Sequence, residues 1–453
     1  MPEDSGTSGR EGQRMHTGEK KHLSFGSFLM IFISILVIAG FAFVFPKLTG
    51  GNSIDVSKLA FNEVLDIQTP VPATDTTFNT EIQGAEPDPT MTGPVMAAQN
   101  TAEPEPVIGG RVSLTFGGVI ALEDAVRKAA YLSDTRQYDF SEALRLISPY
   151  MDSDINCAFV ENLMLDNQKV SNLVVPSNAA DALKKAGLNA VCLGFPKVYE
   201  KDSDGLGATM TSLREYGMEV YGVYDEPDED RSTVIQTVGN LKVAILQYTS
   251  EISANSTKLM KKRDEKWAVP ADDPDAIAND IVSVRASGAD VVVVCLHWGK
   301  AGNKSPNKKQ KELAQKIANA GADIIIGAGS RVVQNIEYLT VDRQDGTKGS
   351  VLCAWSLGCL MSESRDAGRV AGILLKLSVS KDAEKHISIQ KAEYIPTYIW
   401  QYKQDGITYY RTIAADRNKP DGLTANDEKN MDKAVTTVTK VLMDSPLQLA
   451  EMD

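Results

Sequence analysis

The stretch ADVVVVCLHWG, Ala289 to Gly299, decides the fold class. Four valines, a cysteine and a leucine run without polar interruption and end in His297-Trp298-Gly299. An amphipathic helix would place polar residues at every third or fourth position, whereas a strand covered on both faces reads as such a β-branched apolar run. It is preceded by DPDAIANDIVSVRASG, a helical pattern. It is followed by NKKQKELAQKIANAG, in which Leu313 and Ile317 share one helical face, and then by ADIIIGAG, another apolar strand. Strand and helix alternate, so the expectation is an α/β domain with a parallel or mixed sheet.

Working outward, the same texture extends from Arg111. RVSLTFGGVI reads as a strand followed by a glycine turn at Gly117-Gly118, and DINCAFVENLML contains a buried strand. NAADALKKAG reads as a helix closed by Gly187. LNAVCLGF, MEVYGV, LKVAILQYT and VLCAWSLG read as strands, and GLGATMTSLREYG as a helix. Met431, Val435, Val438 and Leu442 recur at helical spacing after a Thr424 cap. The division expected is a tail over 1–22, an apolar run over 23–45, a spacer over 46–108, an α/β domain over 109–415, and a helix with tail over 416–453.

The apolar run LSFGSFLMIFISILVIAGFAFVF, Leu23 to Phe45, carries no charge. A bilayer core takes about 20 apolar residues, and a signal peptide only about 7–15 with a small-residue cleavage site. The run exceeds the second, and Phe43-Val44-Phe45-Pro46 is a poor cleavage site, so the expectation is an uncleaved single-pass anchor. Arg10, Arg14, Lys20 and Lys21 precede it, which keeps the N-terminus in the cytoplasm and the main domain outside. The Thr- and Pro-rich segment that follows reads as an extended spacer.

Over 453 residues the chain carries 47 Lys+Arg against 60 Asp+Glu, a formal net charge of −13. Such an acidic balance argues against a nucleic-acid partner. Cys157, Cys192, Cys295, Cys353 and Cys359 sit in or beside apolar runs and read as small core residues rather than a disulfide scaffold. Only four histidines are present, and His16 and His22 fall in the N-terminal tail. No Gly-x-Ser-x-Gly elbow is visible. The GAGS turn at Gly327–Ser330 lacks the further glycines of a dinucleotide fingerprint.

Functional residues of α/β folds collect in loops beyond the carboxyl ends of strands. Here those ends carry TFGG, VENL, LHWGKAG and IGAGSRVVQNIE. In this order the chain resembles the CapA family, the capsule and poly-γ-glutamate synthesis proteins also met as PgsA-type subunits. The resemblance runs from about Arg111 to Pro396, and its best stretch is HWG, a GAD strand, VVQNIEYL and WSLG. It implies a metallophosphatase-like layered α/β domain with mixed sheets.

It also implies a metal site whose ligands are mostly replaced here. Where the family has Gly-Asp at the first strand end, this chain has Gly117-Gly118. Its Asn-Leu-Glu element fits two registers: Glu161 takes the Glu place, or Asn162-Leu163 match and Met164 stands where Glu should be. The Asn-Asn-His element falls on Phe195-Pro196-Lys197. The acid after HWG falls on Ala301, and Gly-His-His-Pro-His on Gly327 to Arg331. The Asn of SLGN is Cys359. A hydrolytic metal site needs about three or more protein ligands, and His386, the other remaining histidine, reads as exposed. The expectation is therefore no metal cofactor, unless a divalent ion is held in some other way.

What remains is His297 and Glu161 as candidate catalytic groups, and Arg331, Lys197, Trp298 and Asn162 as candidate ligand-binding residues. Each has a plainer reading as an internally paired or solvated side chain. The expected role is a non-catalytic binding or assembly subunit, with polymer synthase subunits or an anionic polymer as partners. A residual hydrolase on phosphate esters or γ-glutamyl amides would need Glu161 and His297 to converge with acids such as Asp202 or Asp204. A structural envelope module would have its cleft filled by side chains.

Overall fold

Strand β1, Arg111–Ile120, lies at the centre of the first of two large sheets. The computed structural model describes residues 110–227, 234–342, 348–415 and 419–450. The expected tail, anchor and spacer therefore lie outside the described residues. Among the described residues no helix is long and apolar enough to cross a membrane.

The first sheet continues with β2 (Ile155–Val160), β3 (Ala190–Cys192) and β4 (Glu219–Tyr221), all parallel to β1. The second contains β5 (Ile235–Val238), β6 (Leu241–Thr249), β7 (Val291–His297), β8 (Ile324–Ala328), β9 (Ile336–Asp342) and β10 (Lys348–Ala354). Its order is β9-β10-β8-β7-β6-β5, with β6, β7, β8 and β10 parallel and both edges antiparallel. The chain then returns to the first sheet. β11 (Cys359–Met361) runs parallel to β1, and β12 (Ala371–Lys381), β13 (Ile387–Gln404) and β14 (Ile407–Ala414) form an antiparallel meander on its other side. The fold is a mixed α/β architecture.

One continuous buried core contains side chains of both sheets. Every residue of β7 is buried, as its unbroken apolar run requires. Helices α1 (Asp124–Ala130) and α2 (Ala179–Lys185) follow β1 and precede β3, α3 (Asp202–Glu215) packs on β4, and α4 (Ala254–Arg263) follows β6. Helices α5 (Pro274–Ala286) and α6 (Lys308–Asn319) pack on each other and on the second sheet. A capping box starts α6: Gln310 N–H donates to Asn307 Oδ1 at 3.0 Å, and Asn307 N–H to Gln310 Oε1 at 3.1 Å. Helix α7 (Ala425–Leu442) starts at Thr424 and buries Met431, Ala434, Val438 and Leu442 against β12 and β13, in the same core as the sheets.

The two sheets are joined by a side chain. Gln247 of β6 is buried; its Nε2 donates to Gly194 O at 2.6 Å and its Oε1 accepts from Gly194 N–H at 2.9 Å, on the loop after β3. A Cβ on Gly194 would lie 2.8 Å from Gln247 Nε2, so only glycine admits this contact. All five cysteines are buried thiols, with Cys157 and Cys192 Sγ atoms 3.7 Å apart on adjacent strands.

One expectation is corrected. Gly117-Gly118 is not a turn, because β1 runs through it to Ile120. The glycines serve close approach: a Cβ on Gly118 would sit 2.3 Å from Gly358 O, and one on Gly117 would sit 2.8 Å from Leu360 Cδ2, where β11 presses against β1. The pairing with β2 slips between Gly117 and Val119. The carboxyl end of β1 therefore lies at Ile120, and the residue delivered just beyond it is Glu123.

Candidate functional site

Four strand ends converge. Glu161 follows β2, and its N–H donates to Ile120 O at 3.0 Å, which sets it against the end of β1. His297 closes β7. Arg331 lies three residues past β8, in the left-handed region at φ +57°. The turn before it needs Gly329 at φ +101°, where a Cβ would fall 2.6 Å from Trp298 O and 3.0 Å from His297 Cε1. Glu123 sits between β1 and α1.

These side chains form one closed network. His297 Nε2 lies 3.0 Å from Glu161 Oε1. The Arg331 guanidinium donates through Nη2 to Glu161 Oε2, and through Nη1 to Glu123 Oε1 at 2.8 Å. The second oxygen of Glu123 accepts from Ser362 Oγ and from the Glu363 N–H, each at 3.0 Å. Glu363 in turn accepts from the Ala125 N–H at 2.7 Å. The Glu161 and Arg331 side chains are 11% and 19% exposed, so these are largely desolvated charges that need partners. Burial alone would raise the Glu161 pKa, but the bond to His297 and the charges of His297 and Arg331 outweigh it and hold the carboxyl at about 2. Burial works against the Arg331 charge, but Glu161 and Glu123 keep the guanidinium protonated well above its ordinary range. Beneath the network, the Cys359 Sγ–H donates to Arg331 O at 3.4 Å, and burial pushes that thiol up to about 12 against the pull of Arg331.

The network floors a cavity of about 750 Å³. The remaining wall comes from the loop 171–173, from Phe195, Pro196, Lys197 and Glu200 after β3, from Glu251 after β6, and from Gly299 to Ala301 after β7.

The residues singled out from sequence separate here. Glu161, His297, Arg331 and Lys197 all line the cavity, although the Arg331 guanidinium is spent on two carboxylates. Trp298 does not line it. The strand direction turns its ring away from His297 into the core, where it is 1% exposed, stacks on Trp355 at 5.4 Å and donates Nε1–H to Trp355 O at 3.1 Å. Asn162 is fully buried and also faces away: its Oδ1 accepts from the Leu122 N–H at 2.8 Å and its Nδ2 donates to Asn172 O at 3.1 Å. Neither residue offers a ligand a free polar atom. Asp202 and Asp204 do not converge with Glu161 and His297; they line a separate depression, where Asp202 pairs with Arg263 at 3.0 Å. His386 is exposed beside Asp382. Glu123 was missed because the strand appeared to end at Gly118; the signal available was the acid in Leu122-Glu123-Asp124, just before a helical pattern.

The metal implied by the resemblance does not fit this donor set. Glu161 gives one oxygen to His297 and the other to Arg331, and both oxygens of Glu123 are likewise occupied. A guanidinium bridges the carboxylates where a cation would have to sit, which Coulomb repulsion opposes. Among the described residues no group of three or more His, Cys, Asp or Glu is placed to hold a metal ion.

Comparison with known proteins bears out the family resemblance. The family of bacterial capsule synthesis proteins, PGA_cap, matches residues 113–364, more than half of the chain. The capsule biosynthesis protein CapA of Bacillus anthracis is 24% identical over 239 residues, covering 50% of this chain and 56% of that protein. The PGA biosynthesis protein CapA of Bacillus subtilis strain 168 is 28% identical over 220 residues, covering 47% and 54%. The chain thus spans about half the length of the curated relatives it matches. Among solved structures, the NAD nucleotidase NadN of Haemophilus influenzae aligns with a TM-score of 0.39 at 14% identity, over 76% of this chain and 58% of that one. The calcineurin-like phosphoesterase YfkN of Bacillus subtilis aligns with a TM-score of 0.37 at 12% identity, over 73% and 98%. The activities in those two names are theirs. This chain belongs to the PGA_cap family of bacterial capsule synthesis proteins.

Proposed function

We propose that this protein is a non-catalytic binding or assembly subunit in the making, export or anchoring of a capsule-type anionic polymer such as poly-γ-glutamate. In this reading the run Leu23 to Phe45 anchors it in the membrane, the domain from Arg111 stands outside the cell, and its partners are the polymer and membrane synthase subunits.

The observation that carries the reading is the bridge from Glu123 through Arg331 to Glu161 and His297. In a hydrolase these groups would face the substrate or its metal; here they face one another. His297 directs Nε2 to Glu161, and its Nδ1, though unpartnered, is buried, so the ring presents no unengaged nitrogen to the cavity for abstracting a proton. The open cavity counts against a purely structural module, whose cleft would be packed with side chains. The family assignment supports the polymer, and the names of the curated relatives point the same way.

The test is the metal content of the purified full-length protein after incubation with Mn²⁺, Zn²⁺ and Fe²⁺ in turn and gel filtration. The expected result is less than about 0.1 ion per chain, because among the described residues no group of three or more His, Cys, Asp or Glu is placed to hold an ion. Near-stoichiometric metal that His297→Ala removes would overturn the reading and restore a metal-dependent hydrolase.

A further inference from the structure

The cavity carries charges of both signs that the network does not use. Lys197 and Glu200 lie on the loop after β3, Glu251 on the loop after β6, and Lys300 on the loop after β7, and all four line the same space. The Lys197, Lys300 and Glu251 side chains have no hydrogen-bond or ion-pair partner among the described residues. Glu200 accepts from Ser253 Oγ at 2.9 Å through Oε1 alone. No lysine of the set pairs with a carboxylate of the set. Between them Leu173, Phe195 and Pro196 supply apolar wall.

Such a lining does not suit a ligand that is only anionic. A run of carboxylates placed here would gain from Lys197 and Lys300 but meet Glu200 and Glu251 at close range, and like charges brought together without compensation are selected against. A group with an ammonium and a carboxylate on one carbon satisfies both signs. Charge-assisted hydrogen bonds to the lysines would take the carboxylate, and the glutamates would take the three N–H donors.

We propose that this rim binds the dipolar head of an α-amino acid, carried by a free amino acid or by the amino-terminal unit of an acidic chain linked through its side-chain carboxyls. In such a chain the interior units expose a carboxylate and an amide, and only the amino-terminal unit joins a free ammonium to a free carboxylate. The inference rests on the polymer reading above and deepens it: the cleft holds a chain end, not an arbitrary stretch of chain.

The experiment is calorimetric titration of the full-length protein in detergent with γ-linked triglutamate, its N-acetyl derivative and free glutamate. N-acetylation removes the ammonium and leaves the carboxylates. The expected result is binding of the triglutamate and a loss of at least about tenfold on acetylation. Lys197→Ala weakens binding of the free-amino form, and Glu251→Gln removes the discrimination against the acetylated form. Both residues are exposed, and an unchanged melting temperature certifies that the variants fold. Free glutamate binding as well as triglutamate identifies the free amino acid as the ligand; tighter triglutamate identifies the chain end. Acetylated triglutamate binding equally well or better overturns the inference while leaving the polymer reading intact, and so does discrimination that survives Glu251→Gln. Failure of all three ligands at millimolar concentration overturns it too. Metal uptake in the preceding test would overturn the polymer-subunit reading independently.

Discussion

On the strand-end side of the cavity, Glu123, Glu161, His297 and Arg331 satisfy one another. On the loops after β3, β6 and β7, Lys197, Lys300 and Glu251 have no side-chain partner among the described residues. Both sets line one space, yet only the first is desolvated. The difference teaches where stability and recognition are lodged. Buried charges must be paired for the chain to fold, whereas exposed ones cost little to leave waiting for a ligand.

The largest effect separating the two regions is expected at Arg331. Arg331→Ala leaves two carboxylates facing each other without their cation, and removing one partner of a buried pair costs about 3–5 kcal/mol. Urea unfolding followed by tryptophan fluorescence reads this directly; a loss below about 1 kcal/mol would mean that the bridge is not structural.

Next comes the acid limb of the stability profile. Glu161 has an ordinary pKa of 4.5 and a folded value of about 2. A depressed carboxylate stabilises the fold above its unfolded pKa, and that contribution disappears as pH falls through the folded value. The shift amounts to about 3 kcal/mol, lost between roughly pH 5 and pH 2. Glu161→Gln is expected to flatten this part of the curve, and an unchanged slope would contradict the pairing.

The smallest effect belongs to the rim. Lys197→Ala and Lys300→Ala are expected to change stability by less than about 0.5 kcal/mol, since exposed unpaired charges hold nothing in place. A larger loss by the same unfolding assay would erase the contrast.

Much of the fold was legible in the chain. LKVAILQYT coincides with β6, and Val291 to His297 with β7, because runs of β-branched residues admit few alternatives. Leu313 and Ile317 lie on the buried face of α6, as their spacing required. The site was legible only in part. Glu161 and Arg331 were visible as residues of interest, but 170 positions separate them, and nothing local marks their contact. Glu123 stands 208 positions from Arg331 and was hidden by a bulge that mimics a turn. Trp298 came in with the HWG motif and Asn162 with the second register of the Asn-Leu-Glu element, each next to a residue that does reach the cavity. At a strand end neighbours point to opposite sides, so adjacency in sequence argued for the cavity while the pleat argued against it.

The amide of Gln247, held through both its nitrogen and its oxygen by Gly194, bears on how the molecule can move. It rivets the second sheet to the loop that carries Lys197 and Glu200. A hinge that swung one sheet against the other would have to break both bonds inside the core, leaving a buried amide and two backbone groups without partners. Clamshell closure would therefore cost about 1–3 kcal/mol for each group so stranded. That cost favours backbone walls set before a ligand arrives, with the adjustment left to the exposed side chains of Lys197, Lys300 and Glu251.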